Sequence, residues 1–235
     1  MTNLAIAPGT MRLWRAFSDL DVSARRHALA RGQVIAVGGK PTTVPEGQLV
    51  VAISGRIAVQ SPGGIKNIEI IQAGELLITS RATDLLGLVQ SEALVVDPNE
   101  WSRAGGDAGK VFLENGLRRR CARLERLVTC ASSHSVAERL ADILVLMEPL
   151  SSTGNVSLDQ ALMAGLLAVQ RTTLSAAATS FARSGITRTG RGSVRVLDLE
   201  RLKAASCGCR AFANPQRMTA NVTVDPFWLN SITHP

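Results

Sequence analysis

Four of the polar side chains between Gln170 and Ser175 have a spacing that could read the edges of base pairs. They are Gln170, Arg171, Thr172 and Ser175. Arginine can donate two parallel hydrogen bonds to guanine, whereas glutamine, threonine and serine bond either bases or phosphates. Because these side chains lie opposite an apolar stripe, the pattern predicts a helix from about 170 to 183 that presents them to the major groove of DNA.

A basic hairpin is predicted directly after this helix. Gly185 ends the helix, and Ile186–Arg188 and Ser193–Val196 pair across a glycine-rich turn at residues 190–192. The hairpin carries Arg188, Arg191 and Arg195. We expect Arg188 and Arg195 to bind phosphate without regard to sequence. Arg191, between two glycines, is predicted to contact phosphate or the minor groove, with a solvated loop as the alternative.

A shorter helix is predicted in front of the polar one. Asp159 can cap it, and Leu158 with Met163 can form a hydrophobic staple. The apolar face of this helix is Leu162, Met163, Leu166 and Leu167, and that of the next is Leu174, Ala177, Ala178 and Phe181. Since only Ala168-Val169 separates the two helices, the whole segment is typical of a winged helix-turn-helix.

Two further helices are predicted upstream. Ser135 and Glu138 have the spacing of a capping box, opening a helix that turns Val136, Leu140, Ile143, Leu144 and Met147 inward.

The other helix precedes the capping box and runs from about 107 to 132. Spacings of four, four, three and four residues join its apolar side chains Leu113, Leu117, Cys121, Leu124 and Val128. Such a seam favours pairing with a second copy of the helix, since helix-turn-helix proteins usually read two half-sites as dimers. Packing on the rest of the chain is the alternative. The arginines within 118–126 are predicted to form a solvated face or dimer salt bridges.

The N-terminal half has the texture of a small antiparallel β-roll. Short β-rich runs alternate with glycine and proline, giving six candidate strands: Val34–Val37, Leu49–Ile53, Ile57–Gln60, Ile68–Ile71, Leu76–Thr79 and Ala93–Val96. A short helix is expected within residues 1–30, a helix entry at Asp97–Trp101 and a break at Gly105-Gly106.

Composition favours a polyanionic partner. The 235 residues carry a net charge of +7, and residues 151–210 hold eight basic residues against three acidic ones, a local net charge of +5. Eight aromatic residues and no tyrosine argue against stacking on single-stranded bases. No apolar run reaches the length of a membrane span and no signal-peptide core is present, so a cytoplasmic protein with no membrane partner is expected.

Neither catalysis nor a metal site is predicted. The sequence holds no phosphate loop, serine elbow, HExxH motif or closely spaced carboxylate pair, which argues against an enzyme. Cys207-Gly208-Cys209 offers two sulfurs one residue apart, too few for a tetrahedral zinc site, and no histidine lies near in sequence. We interpret these cysteines as inert thiols and predict no metal and no cofactor.

The order of these elements resembles the Crp/Fnr family of bacterial transcription regulators. The strongest matches are CASSHSVAERLADIL, LLAVQRTTLS, GITRTGRGSVRVLD and LKAASCGC, supported in the N-terminal half by RGQVIAVGGKP and LVVAISGRIAV. The resemblance implies an α+β fold with an antiparallel β-roll of the cyclic-nucleotide-binding type over residues 1–106. A dimerisation helix over 107–134, a winged helix-turn-helix over 135–210 and a tail over 211–235 would follow. Double-stranded DNA, a second copy of the chain and RNA polymerase are the implied partners.

Four departures from the family pattern limit what the resemblance implies. Ala168 stands in the turn where the family commonly has glycine, at a cost of about 1 kcal/mol if the backbone there is left-handed. Ala176 replaces an arginine of the best-known members, so their preferred DNA sequence is not implied. Only Gly74-Glu75 resembles the cyclic-nucleotide cassette, and Arg81 lacks a matching context. No cysteine precedes Cys121, which excludes the N-terminal iron–sulfur cluster of oxygen-sensing members.

The sequence therefore predicts a homodimeric, sequence-specific DNA-binding transcription regulator with a divergent effector domain and an unknown effector. The alternative is a ligand- or partner-binding β-roll protein whose helix-turn-helix is degenerate.

Overall fold

The computed structural model describes residue 17 and residues 30–60, 67–147, 155–156, 160–190 and 192–210. Its N-terminal half is built from eight strands, in chain order β1 (Gln33–Val37), β2 (Thr42–Val44), β3 (Leu49–Ser54), β4 (Arg56–Gln60), β5 (Asn67–Gln72), β6 (Leu76–Ile78), β7 (Thr83–Gly87) and β8 (Ser91–Val96). They form two antiparallel sheets, ordered β1-β8-β3-β6 and β2-β7-β4-β5. All six predicted strands are present within two residues of their expected bounds. Strands β2 and β7 were not predicted, because one has only three residues and the other opens on polar residues.

Strand β3 lies at the centre of the roll and is buried on both faces. Val50 and Ala52 point toward the second sheet, where they join a core shared by both sheets. Leu49, Val51 and Ile53 point the other way and pack in a cluster with Trp101 and Phe112 from the following helix. Since successive strand residues face opposite sides, the uninterrupted apolar run of β3 reflects burial between one sheet and one helix.

The long helix α1 (Pro98–Ser133) covers the outer face of the first sheet. Asp97 caps it by accepting hydrogen bonds from the backbone N–H groups of Asn99 and Glu100. Gly106 interrupts the helix at φ 54° and ψ −143°, which confirms the predicted break. Farther on, Gly116 lies so close to Leu76 that an added Cβ would overlap the leucine side chain, so a glycine is needed for the close approach.

Two of the five arginines in 118–126 face the roll rather than solvent, which corrects the predicted solvated face for these two. The Arg123 guanidinium donates to Glu69 Oε2 (2.7 Å) and lies 3.0 Å from Glu75 Oε1. Arg120 Nε donates to Glu69 Oε1 (2.8 Å). Glu69 and Arg123 are both buried, so this ion network joins α1 to the β-roll. The reversal follows from packing, because the roll supplies carboxylates more than 40 residues away in sequence.

The C-terminal half is a compact helical unit with a small sheet. Its elements are α2 (Val136–Met147), β9 (Asn155–Val156), α3 (Gln160–Leu167), α4 (Arg171–Arg183), β10 (Thr187–Gly190), β11 (Ser193–Val196) and α5 (Leu199–Ala205). The sheet order is β10-β11-β9. Strand β9 was not predicted and overlaps the loop expected at 151–155 only at Asn155; residues 151–154 lie outside the described residues. It pairs with β11 through Val156 and Val194. Two paired residues carry too little pattern to be seen in a sequence.

Several local predictions are confirmed. The capping box forms, with Ser135 N–H donating to Glu138 Oε2 (2.8 Å) and Glu138 N–H donating to Ser135 Oγ (3.3 Å). The predicted inner residues of α2 are buried, with Val136 packed at the margin. The Leu158–Asp159 cap and staple, the stop at Glu148-Pro149 and the tail lie outside the described residues. The N-terminal helix does too, apart from Phe17, which packs against Trp101 and Phe112. Among the helices that the structure describes, none has the length and apolar character needed to cross a membrane.

Candidate nucleic-acid interface

The turn between α3 and α4 is a Schellman motif with alanine in the left-handed position. Val169 N–H donates to Ala164 O (3.0 Å) and Ala168 N–H donates to Gly165 O (3.2 Å). Ala168 has φ 53° and is the only described non-glycine residue with positive φ. The helix-turn-helix bend therefore forms despite the missing glycine, at a local backbone cost of about 1 kcal/mol.

The end of α4 repeats the same motif with glycine. Ile186 N–H donates to Phe181 O (3.0 Å), Gly185 N–H donates to Ala182 O (3.1 Å), and Gly185 has φ 72°. The predicted helix end at Gly185 is thus confirmed. The two ends differ in the residue that adopts the left-handed conformation, which makes them a matched pair for experiment.

Replacing Ala168 with glycine is expected to raise the free energy of unfolding by about 1 kcal/mol, because glycine adopts positive φ without a Cβ clash. Gly185→Ala is the matched control and should lower it by a similar amount. No atom lies within 4 Å of the Cβ that this control adds, so backbone strain alone is tested. Urea titrations followed by far-UV circular dichroism would measure both. If both substitutions changed the free energy of unfolding in the same direction, the assignment of backbone strain to Ala168 would be contradicted.

The outer face of α4 starts at an exposed helix N-terminus. Gln170 is the N-cap, with extended backbone (φ −72°, ψ 149°) and no side-chain capping bond within the described residues. The helix therefore begins within one residue of its predicted start. Gln170, Arg171 and Thr172 are all exposed, as predicted. First-turn N–H groups have no acceptor within the helix, so this end offers both amide donors and the positive end of the helix dipole to an anion.

Ser175 lies on the predicted helix and is only partly accessible. It is half-buried, and its hydroxyl donates to Gln160 Oε1 on α3 (3.4 Å). The contact between the two helices therefore engages this side chain, and it lies less openly than Arg171 and Thr172. Ala176 is exposed beside it, so the position where the family resemblance implies an arginine carries a small, accessible side chain here.

The hairpin of β10 and β11 forms the wing, and it places two arginines side by side. Arg188 and Arg195 are directly opposite in the antiparallel register, and both are exposed. Within the described part of the chain, no carboxylate lies within 4.0 Å of Arg171, Arg188 or Arg195, whereas eight ion-paired basic residues occur elsewhere. Like charges facing each other across strands repel, so the wing favours a polyanionic partner. Arg191 lies outside the described residues.

Two arginines that sequence reasoning missed hold the ends of the paired helices. Arg139 of α2 donates to Leu167 O at the end of α3 (3.1 Å), and Arg201 of α5 donates to Ser184 O at the end of α4 (3.1 Å). Cationic donors at helix C-termini satisfy free carbonyls and complement the helix dipole. Their partners are 28 and 17 residues away, so no local pattern could reveal them.

The region that resembles the effector cassette is used internally. Gly74 turns at φ 83° and strand β6 follows Glu75 at once, so a strand stands where the cassette would have a helical turn. The Glu75 carboxylate accepts from Gln72 N–H (2.9 Å) and pairs with Arg123. Arg81 is exposed and distinct from this network. Burial raises the pKa of Glu75, although Arg123 and the Gln72 N–H act in the opposite direction.

A raised pKa gives Glu75 a predictable pH signature. As pH rises past about 4.3, the usual pKa of glutamate, the Glu75 carboxyl loses its proton in the unfolded chain but keeps it longer in the folded chain. The stability contributed by Glu75 therefore falls as pH rises. Glu75→Gln should remove that loss, and its stability relative to the unmodified chain should grow with pH across this window. Urea unfolding at several pH values would measure it. The exposed Glu114→Gln serves as control, and parallel pH curves for both variants would contradict the prediction.

These features define a winged helix-turn-helix protein whose C-terminal helix-turn-helix unit is connected to an N-terminal β-roll by one long helix. Residues 138–205 match the Crp-like helix-turn-helix domain. No curated protein matches the chain.

Solved structures share the fold of 75% to 82% of the chain. A transcriptional regulator of the Crp/Fnr family from Eubacterium rectale is 13% identical, with a TM-score of 0.65 over 82% of this chain and 98% of that one. A CRP-family regulator from Thermus thermophilus is 19% identical, with a TM-score of 0.57 over 75% and 94%. A c-di-GMP-responsive global regulator from Xanthomonas campestris is 16% identical, with a TM-score of 0.58 over 75% and 99%. The resemblance to the Crp/Fnr family is thus confirmed in two respects: residues 138–205 match the helix-turn-helix domain, and the chain shares the fold of these solved structures.

Proposed function

We propose that this protein is a homodimeric transcription regulator that binds double-stranded DNA sequence-specifically through α4 and the wing. One observation carries the proposal: exposed Arg171, Arg188 and Arg195 share one small unit and have no carboxylate partner among the described residues. Elsewhere in the described chain, many basic residues are neutralised by ion pairs. Intact geometry at Ala168 weighs against the alternative of a degenerate helix-turn-helix.

In this proposal, α4 enters the major groove and the wing contacts the neighbouring backbone. Arg171 bonds a base edge, and Gln170, Thr172 and Ser175 make mixed contacts to bases and phosphates. Arg188, Arg195 and Arg191 contribute phosphate contacts that depend on salt. Residues 1–106 serve as the sensor-like unit, 107–134 as the dimerisation helix and 135–210 as the DNA-binding unit. A cytoplasmic location and contact with RNA polymerase follow from the role.

Dimerisation is supported by the uneven burial of α1. One side packs on the chain's own roll through Phe112, Gly116 and Arg123, which are buried. The predicted seam is only partly covered: Leu113, Leu117 and Leu124 are half-buried, Cys121 is exposed and Val128 is 71% exposed. A second copy of α1 would cover these residues. The two α4 helices of such a dimer would lie about 34 Å apart, the length of one turn of DNA.

Selection of bound fragments from genomic DNA, followed by fluorescence anisotropy on the recovered site, tests the proposed function. We expect an enriched pseudo-palindromic motif and affinity that falls steeply with salt. Equal binding to all fragments, or no binding at low salt, would favour the alternative of a β-roll protein without DNA recognition.

The dimer is tested separately at Val128. Val128→Asp is expected to weaken self-association at least about tenfold, because a charge would be buried against the partner helix. Val34→Asp makes the same change at an exposed valine of the roll (44% exposed) and should leave assembly unchanged. Sedimentation velocity over a concentration series measures both. A monomeric unmodified chain, or equal behaviour of the two variants, would contradict dimerisation through α1.

The divergent effector domain is also a proposal. The Glu75 carboxylate is paired with Arg123 of the same chain, and strand β6 stands where the cassette would have a helical turn. Both features argue against cyclic-nucleotide binding in the manner of the family. Calorimetry with cyclic AMP and cyclic GMP should give no binding heat, and neither should raise the melting temperature. Saturable heat with either nucleotide would reject this part of the proposal.

A further inference from the structure

Three cysteines from distant parts of the chain lie close together where the end of α1 meets the segment after α5. Cys130 lies in the last turn of α1, and Cys207 and Cys209 follow α5. Their Sγ atoms all lie within 4.8 Å of one another, and Cys130 Sγ is 3.6 Å from Cys207 Sγ. All three are free cysteines. The two sulfurs that the sequence offered at 207 and 209 thus gain a third from 77 residues away.

The sulfur spacing suits coordination of a single ion. Thiolates bound to zinc at about 2.3 Å in tetrahedral geometry lie about 3.8 Å apart, close to the observed Cys130–Cys207 separation. Gly208 adopts φ 69° between the other two cysteines, and this left-handed turn brings both sulfurs to one side. With all three sulfurs within 4.8 Å of one another, the cluster is already close to the spacing that a single bound ion requires.

The segment that carries Cys207 and Cys209 is held in place by α2. Buried Asp142 accepts from Ser206 Oγ (3.1 Å) and from Arg210 N–H (2.9 Å), one on each side of the cysteine pair. Gly208 N–H donates to Ser206 Oγ (3.1 Å). Such outer contacts orient ligands before an ion arrives and thereby increase affinity.

We infer that Cys130, Cys207 and Cys209 form a site for a thiophilic divalent cation of the Zn²⁺ class. Three sulfurs favour soft or borderline ions over Mg²⁺ or Ca²⁺, which require oxygen ligands. Among the described residues, no fourth histidine, cysteine or carboxylate joins the group. Cys207 and Cys209 are part-exposed, so solvent can supply the fourth ligand. Binding displaces the thiol protons into solvent and ties the end of α1 to the segment after α5. The inference is independent of DNA binding.

Cobalt titration of the reduced, metal-free, full-length protein tests the site. Unmodified protein should bind one Co²⁺ per chain with sulfur-to-cobalt charge-transfer absorption, and Zn²⁺ should displace it. Cys209→Ser and Cys207→Ser should each weaken binding by about tenfold or more, whereas Cys121→Ser, at an exposed cysteine of α1, should not.

Thermal unfolding distinguishes ion binding from damage to the fold. Without metal, Cys209→Ser should melt near the unmodified chain, and added Zn²⁺ should raise the melting temperature of the unmodified and Cys121→Ser proteins only. The inference is overturned if the unmodified chain lacks sulfur-to-cobalt absorption, or if Cys121→Ser loses binding as strongly as Cys209→Ser.

Discussion

Arg171→Ala is expected to weaken binding to the selected DNA site by about 1–3 kcal/mol while leaving binding to unrelated DNA nearly unchanged. Arg171 is exposed in the first turn of α4, beside an uncapped helix end, where a guanidinium can bond guanine through two donors. Fluorescence anisotropy with the selected site and a scrambled duplex would measure the difference. Arg103→Ala, at an exposed arginine paired with Glu100 on α1, is the control and should alter neither affinity.

The wing provides the contrast. Arg188→Ala combined with Arg195→Ala should weaken binding to both duplexes by the same factor. The slope of log affinity against log salt concentration should become shallower by roughly 2, about 0.9 for each phosphate that the wing no longer neutralises. If Arg171→Ala behaved in this uniform way, Arg171 would bind phosphate and the base contact would lie elsewhere on α4. If none of these variants changed binding, the assignment of the interface would be wrong.

Arg123→Met is expected to lower the free energy of unfolding by about 3–5 kcal/mol, since it removes the cation from a buried cluster and leaves two carboxylates inside. Glu69 is fully buried and would retain only Arg120, while Glu75 would lose its pairing with Arg123. Methionine approximates the length of the arginine stem, so the loss reports charge rather than a cavity. Urea unfolding at one fixed protein concentration would measure it, because dimerisation makes apparent stability concentration-dependent.

Arg118→Met is the matched control for Arg123→Met. Arg118 lies on the same helix and pairs with Glu114 at 2.6 Å, but its side chain is 76% exposed. Exposed pairs contribute about 1 kcal/mol or less, so this variant should remain close to the unmodified chain. Comparable losses in both variants would mean that the buried network adds no more to stability than a surface pair.

Most of the local structure around the candidate site could be predicted from the sequence. The helical period placed the buried stripe of α4, the Ser135–Glu138 spacing located the start of α2, and Gly185 marked a helix end. The Ala168 departure was visible through the resemblance to the Crp/Fnr family, which commonly has glycine in that turn. These features depend on contacts within a few residues, so their signals are present in any short stretch of sequence.

Only the tertiary structure decided which charged and sulfur-bearing side chains meet. Arg123 lies on a helix face that looks solvated in sequence, and it becomes buried because Glu69 approaches from a strand 54 residues earlier. Arg139 and Arg201 bond helix ends on other elements, and Cys130 meets Cys207 across 77 residues. The sequence alone determined most of the elements and the polar face that could read DNA. Packing determined the ion network and the cysteine cluster, because contacts between distant residues have no period in the chain.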